Sequence, residues 1–407
     1  MGNPTLADVL RLHGQDYLSR HSLSTPQAKA WRAICACRTA AMGGQQLACS
    51  ECGHSHWQYH SCRNRHCPTC GARAKDAWLQ ARVAQVLDVP YTHLVFALPH
   101  EFNALYRQQT RAVIDALFAS VSQTLIEFAA NPRWMGVAGG KPAFSLVLHT
   151  WRQDLGVHIH LHAIMACGVL GQDGEEHGPW HTPARKPDYL FPTRGLSEVW
   201  RAKFMQRLRQ AAPQAVPSLG KKARALWKKG WVVYAKTPLG GAAQALQYLS
   251  RYTHRTAMGN ERILRLQGDE VVFSARAKRG TGQAGKQSKK RTLRMRAPDF
   301  IGRFLQHVLP SGLKRIRHYG LLANPNGAQL AQAKAALHMP APNPQAQECA
   351  QDFMARVARV DIQQCPVCQR GRMGVVQALA GAKRLPDPLD KSGSRKANGW
   401  APPAQGP

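Results

Sequence analysis

The stretch Val157-His158-Ile159-His160-Leu161-His162 decides how this chain is read. Side chains alternate across a β-strand, so the three imidazoles share one face while Ile159 and Leu161 enter the other. A single histidine at such a place is more often satisfied within a core. Three alternating ones, with apolar residues anchoring the strand between them, point to a bound divalent ion. Imidazole suits zinc, and Mg²⁺ or Mn²⁺ equally if phosphate oxygens and water complete the shell.

Working outward, Phe144–Leu148 has the pattern of a second strand, joined to the first through Arg152-Gln153-Asp154-Leu155-Gly156, which predicts an antiparallel hairpin. Tyr91–Leu98 is a further strand, stopped by Pro99, and 104–130 is helical. Residues 196–228 are helical and basic, Trp231–Tyr234 is a short strand, and 242–255 is a helix. Strand, helix, hairpin and helices describe an α+β domain around a central antiparallel sheet, not a doubly wound fold. Residues 5–40 form two helices, the second opened by Thr25-Pro26. We therefore expect a helical and zinc-binding module over 1–88 and a catalytic domain over 89–330. A third segment over 331–407 would hold a helix, a linker at Pro340–Pro344 and a disordered tail.

The helix after the strand carries Tyr248-Leu249-Ser250-Arg251-Tyr252-Thr253-His254-Arg255. Tyr248 and Tyr252 lie one turn apart on a common face. By themselves they read as packing residues; beside a metal-bearing strand they become candidate nucleophiles. Arg251, His254 and Arg255 supply positive charge that lowers a phenol pKa or clamps a phosphate.

Seven of the eleven cysteines precede residue 71. Cys49-Ser50-Glu51-Cys52-Gly53 and Cys67-Pro68-Thr69-Cys70-Gly71 are two Cys-x-x-Cys knuckles, fourteen residues apart, which suits one tetrahedral structural zinc held by Cys49, Cys52, Cys67 and Cys70 in a zinc-ribbon-like module. The intervening His54, His56, His60, Cys62 and His66 leave open a mixed Cys/His site or a second ion. Cys365-Pro366-Val367-Cys368 is half of such a site, with no partner pair visible. An odd cysteine count, clustered and without an export signal, predicts a reducing cytosol.

The charge agrees with a polyanionic partner. Lys and Arg total 55 against 23 Asp and Glu, a net charge of +32. Residues 276–296 contain nine of these cations, Lys289, Lys290 and Arg291 among them, and no acid. Nucleic acid is the commonest partner of such a surface. With no uninterrupted apolar run of about 18 residues, no membrane partner is expected.

A strand of alternating histidines followed by paired helical tyrosines resembles the HUH (histidine, bulky hydrophobic, histidine) endonucleases. The chain is most similar to their rolling-circle, two-tyrosine insertion-sequence transposases with an N-terminal zinc-binding domain. The likeness rests on Tyr59-His60-Ser61-Cys62-Arg63-Asn64-Arg65-His66-Cys67-Pro68-Thr69-Cys70, on Leu98-Pro99-His100-Glu101, and on Leu148-His149-Thr150-Trp151 running into the triple histidine. Trp231–Lys236 with Tyr248–Arg255, and Arg315–Asn324, extend it over about residues 25 to 325. Ile159 stands where the family often has proline. The resemblance implies that His160 and His162, with His158 as third ligand, hold Mg²⁺ or Mn²⁺ on a scissile phosphate of single-stranded DNA at the element ends and target. It implies attack by Tyr248 or Tyr252 to give a 5′-phosphotyrosine, DNA contacts from Arg251, Arg255, Lys289, Lys290 and Arg291, and a cytoplasmic, nucleoid-associated bacterial protein. The alternative is a non-catalytic, zinc-dependent nucleic-acid-binding regulator, which the zinc module and the charge alone would satisfy.

Overall fold

The structure is a computed structural model that describes residues 2–83, 85–171, 179–184, 190–214, 221–241, 244, 255–276, 290–340 and 348–382. Tyr248, Arg251, Tyr252, Lys289 and the C-terminal tail lie outside the described residues. The strands in chain order are β1 (Gly44–Cys49), β2 (Ser55–Tyr59), β3 (Tyr91–Ala97), β4 (Lys141–Trp151), β5 (Val157–Leu170) and β6 (Trp180–His181). They continue with β7 (Val232–Leu239), β8 (Ile263–Gln267), β9 (Glu270–Arg276), β10 (Lys290–Arg296), β11 (Ile316–Gly320) and β12 (Met373–Leu379).

The chain forms two compact units, and their boundaries differ from those expected. One comprises 1–71, 258–308 and 347–407; the other comprises 72–257 and 309–346. The expected division into 1–88, 89–330 and 331–407 follows chain order, whereas both of these units are discontinuous in sequence. Sequence order hides the reason: the strands around residues 263–296 and the C-terminal β12 make their contacts with the N-terminal unit, while the helix from Gly71 joins the sheet unit.

The sheet unit is built on a six-stranded antiparallel sheet of order β11-β4-β5-β3-β7, with β6 paired to β5. The expected hairpin is β4–β5, longer at both ends than the sequence pattern marked. The odd-numbered residues Ile159, Leu161, Ala163 and Met165 of β5 are buried with Leu146 and Leu148 of β4 and Leu94 and Phe96 of β3. On this face they meet the helices Thr110–Ala129 and Thr193–Ala211, whose Val113, Leu117, Val121, Leu196, Trp200 and Phe204 belong to the same core. Trp200, Phe204 and Trp231 pack edge to face at centroid separations of 5.1–5.5 Å, the geometry that aromatic quadrupoles favour. Thr110–Ala129 is long and apolar enough to cross a membrane, but 61% of its most apolar window is buried in this core.

The opposite face of the sheet is divided. Its far end is closed by an apolar cluster containing Tyr91, Ala143, Ile164, Leu87 and Leu321. The near end is left to the histidines, so one strand carries a core on one side and a polar site on the other.

In the other unit, two capped helices open the chain. Thr5 and Asp8 exchange hydrogen bonds in a capping box at the start of Leu6–Arg20, and Ser24 with Gln27 does the same before Thr25–Ala36. The first helix packs against Ala297–Leu305, and Gln27 donates to the Leu305 carbonyl at 3.0 Å. Two three-stranded sheets complete the unit, of order β10-β9-β8 and β12-β1-β2. The acid-free basic segment is thus in part a hairpin: β9 and β10 pair from Arg276–Lys290 to Glu270–Arg296, with Lys290 and Arg291 exposed.

Candidate metal centres and nucleic-acid-processing site

Three groups of ligand-type side chains converge among the described residues, and in each the donor atoms lie within 4.8 Å of one another. The first is His149, His160 and His162. His149 of β4 is directly opposite His160 of β5, and Val147 and Val95 flank His162 from the two neighbouring strands. Directly opposed residues of an antiparallel pair face the same way, so the register itself brings a β4 histidine to the β5 pair. His149 and His162 are 3% and 7% exposed, and neither belongs to the apolar core on the other face.

The converging group contains His149 and not His158, the expected third ligand. The β4–β5 register shifts between His149 and Trp151, where Trp151 pairs with Val157. One extra β5 residue is accommodated there, a bulge that takes His158 out of the register shared by His149 and His160. The His158 ring stays beside that of His160, with centroids 4.8 Å apart, but its nitrogens are outside the converging group. What His158 offers is its carbonyl, which accepts from His160 Nδ1 at 2.9 Å and leaves His160 Nε2 for an ion.

A fourth histidine was not anticipated. His93 of β3 is 3% exposed, and its Nε2 lies 2.9 Å from Nδ1 of His162. With His162 as the donor, its Nε2 carries the lone pair that a ligating imidazole would use, the usual way an outer partner fixes the tautomer of such a ring. Nothing in the alternation of β5 reveals His93 or His149. The signal was the resemblance motif Leu148-His149-Thr150-Trp151, whose register against β5 only the folded hairpin supplies.

Burial keeps these rings neutral. Desolvation, followed by the charge of neighbouring His158, pushes His160 down to about 3. Desolvation with the charge of Lys236 brings His93 to about 4. His162 is also lowered, by burial and then by His149, His160, His93 and Arg255. Neutral imidazoles are the metal-binding form, so the site is ready at neutral pH without displacing protons. Arg255, singled out as a phosphate-binding residue, lies near enough for its charge to act on His162. Its carbonyl accepts from Arg315 Nη1 at 2.9 Å, which ties the chain just after the tyrosine segment to β11's approach.

The two other groups are cysteines, and they regroup the expected zinc ligands. Cys67 and Cys70 converge with Cys37 and Cys62; Cys49 and Cys52 converge with Cys365 and Cys368. The two knuckles of the expected quartet, Cys49 with Cys52 and Cys67 with Cys70, thus fall in separate groups. The β1–β2 hairpin carries the first knuckle to the C-terminal strand, while the second knuckle closes on the end of the helix Thr25–Ala36. In the first of these groups Cys70 Sγ is 3.3 Å from Cys37 Sγ and 3.6 Å from Cys62 Sγ. A disulfide would need about 2.05 Å. Four sulfurs each about 2.3 Å from a tetrahedral zinc stand about 3.8 Å apart, so the spacing fits an ion-binding set. Cys67 is pushed down to about 4, first by hydrogen bonds from the Cys37 and Cys62 thiols.

The sheet thus gathers three imidazoles on one face, a donor set able to hold a divalent ion. Comparison with known proteins gives the family. A family model described as "Transposase zinc-binding domain" matches residues 9–98, and one described as "Putative transposase" matches residues 144–329. The "Putative transposase y4qJ" of Sinorhizobium fredii (strain NBRC 101917 / NGR234) is 36% identical over 407 residues, covering 96% of this chain and 99% of that protein. The "Transposase for insertion sequence element IS801" of Pseudomonas savastanoi pv. phaseolicola is 26% identical over 360 residues, covering 85% and 82%. A conjugative relaxase TrwC in complex with oriT DNA, in a metal-bound structure, aligns with 52% of this chain and 69% of that one. Its identity is 15% and its TM-score 0.26, too low to support an argument. The chain belongs to the family of insertion-sequence transposases that carry an N-terminal zinc-binding domain.

Proposed function

We propose that this transposase nicks and rejoins single-stranded DNA at the ends of its element through a covalent tyrosine intermediate. The observation that carries the reading is the convergence of His149, His160 and His162 on the open end of the sheet. These three residues would hold Mg²⁺ or Mn²⁺, which when bound supplies positive charge to polarise a scissile phosphate.

The protein's own groups account for the rest. Tyr248 or Tyr252 is the nucleophile: its phenolic oxygen bonds to phosphorus as the bond from phosphorus to the 3′-oxygen breaks. The phenol gives up its proton and the departing 3′-oxygen takes one, leaving a 5′-phosphotyrosine and a free 3′-hydroxyl. The phosphodiester energy stays in the tyrosine ester, so attack by another 3′-hydroxyl rejoins DNA without ATP. A second tyrosine allows two ends to be held in succession, as rolling-circle strand transfer requires. Arg251 and Arg255 follow the nucleophiles closely enough in sequence to meet the phosphate. Lys290 and Arg291, exposed on β10, and the adjoining Lys289 bind the DNA backbone without reading bases. Structural zinc in the N-terminal module supports the fold that presents this surface.

The test is a labelled single-stranded oligonucleotide bearing an element end, incubated with Mn²⁺. An SDS-resistant protein–DNA adduct supports the proposal. Intact binding without any adduct supports a non-catalytic, zinc-dependent regulator instead.

A further inference from the structure

We infer that the chain binds a second structural zinc ion in a ribbon closed by its two ends, with Cys49 and Cys52 from the N-terminal region and Cys365 and Cys368 from the C-terminal region as ligands. Cys365 and Cys368 lie far outside the matched zinc-binding domain. The inference stands independently of the catalytic proposal.

The sulfur spacing is that of a metal site. Cys49 Sγ is 3.6 Å from Cys368 Sγ and Cys52 Sγ is 3.7 Å from Cys365 Sγ, across sequence separations of 319 and 313 residues. Both values approach the tetrahedral edge of about 3.8 Å expected for zinc thiolates and exceed a disulfide by far.

The two knuckles repeat one backbone design. In each, the residue after the second cysteine is left-handed: Gly53 at φ +70° and Gln369 at φ +56°. In each, the first cysteine's N–H closes the loop, Cys49 onto the His54 carbonyl and Cys365 onto the Gly371 carbonyl, both at 2.9 Å. Each knuckle also turns a backbone N–H onto one of its sulfurs, Glu51 onto the first cysteine, Cys49, and Gly371 onto the second, Cys368, both at 3.4 Å. Such N–H···S bonds stabilise thiolate over thiol, as a zinc ligand requires. Non-glycine residues adopt positive φ at a cost, so Gln369 held there argues that the loop geometry is enforced. Gly371 has a separate role: a Cβ at that position would collide with Cys49 Sγ.

The surrounding sheet fits the same reading. β12 pairs antiparallel with β1 from Gly44–Leu379 to Cys49–Met373, and β1 pairs with β2. Ser50 N–H donates to the Arg372 carbonyl at 3.0 Å, and Arg372 N–H donates to Ser50 Oγ at 3.1 Å. Among the described residues the apolar cluster here is Cys49, Cys365 and Met373, with Leu47 and Cys368 packed against it. So small a core does not hold a three-stranded sheet unaided; small domains of this kind draw stability from a metal. Together with the Cys37, Cys62, Cys67 and Cys70 group, the full-length chain should carry two zinc ions.

The experiment is zinc quantification on the purified full-length protein by inductively coupled plasma mass spectrometry. Two ions per chain are expected, falling to one in the Cys365→Ser/Cys368→Ser variant and to one in the Cys37→Ser/Cys62→Ser variant. A wild-type value of one that the Cys365→Ser/Cys368→Ser pair leaves unchanged overturns the inference. Because either variant could fail to fold, alkylation of the wild-type protein provides the second measurement. With zinc present, Cys49, Cys52, Cys365 and Cys368 should resist iodoacetamide while exposed Cys349 reacts, and a chelator should release all four together. Cys365 and Cys368 reacting as fast as Cys349 while Cys49 and Cys52 stay protected also overturns it.

Discussion

His149 and His160 face each other across the β4–β5 hairpin, with ring centroids 5.4 Å apart and planes at 83°. The pair joins two strands within the converging histidine group, so under the proposed mechanism the hairpin register sets the ligand geometry. His149→Ala should abolish metal-dependent cleavage as completely as His160→Ala, by at least about 100-fold, because each removes a ligand. His158→Ala keeps the carbonyl that His160 uses and should cost under about tenfold. Cleavage of a single-stranded oligonucleotide across a Mn²⁺ titration measures all three. Equal losses for His149→Ala and His158→Ala would contradict the ligand set.

His93 contacts Nδ1 of His162, so its role in metal binding would be to orient that ring. His93→Ala should weaken Mn²⁺ binding by about 10–100-fold, while saturating Mn²⁺ restores much of the cleavage rate. Isothermal titration calorimetry beside the rate assay separates the two effects. Unchanged affinity would show that the 2.9 Å contact does not orient the ligand.

Acid should loosen the metal-free protein. His318 accepts or donates at Nδ1 with Ser145 Oγ at 2.7 Å, and burial followed by the charge of Arg82 lowers it from 6.5 to about 4. As pH falls, the unfolded chain binds this proton first, so stability is present above about pH 6.5 and is lost toward pH 4. His93 and His160, lowered to about 4 and about 3, add to the same trend. Tm should drop by several degrees between pH 7 and 4.5, and His318→Gln should flatten the slope. An identical slope in that variant would assign the acid sensitivity elsewhere.

Gly320 closes β11 at φ +59°, where an added Cβ would collide with the Pro142 carbonyl oxygen of β4. Leu321 N–H donates to that same carbonyl at 2.9 Å, so the close approach cannot simply relax. Gly320→Ala should destabilise the protein by about 2–4 kcal/mol, through strain and clash together. Urea denaturation measures it, and a change under about 0.5 kcal/mol would show that the edge strand shifts freely.

Much of the sheet unit was legible in the sequence because period-two alternation on β5 and the apolar runs of β3 and β4 report local structure directly. The helices 6–20 and 25–36 were equally visible, the first through its apolar spacing and the second through Thr25-Pro26 at its start. What sequence order could not show is pairing between distant segments. Cys49 meets Cys368, and Cys70 meets Cys37, through folds of the chain that no spacing rule encodes, so a plausible single knuckle pair concealed two separate groups. His158 falls outside the converging group for a smaller reason: one bulged residue between Val157 and His160 breaks the alternation that would align the three histidines. The tyrosines Tyr248 and Tyr252 rest on the sequence alone.

They are also where the central claim is most directly tested. The covalent adduct formed on the element's own terminal single strand should be digested with trypsin and the DNA-linked peptide identified by mass spectrometry. The phosphodiester should lie on Tyr248 or Tyr252, and no adduct should form when both are changed to Phe with the histidine group intact. A DNA-linked peptide from any other part of the chain, or an adduct that survives in the double Phe variant, would contradict that claim.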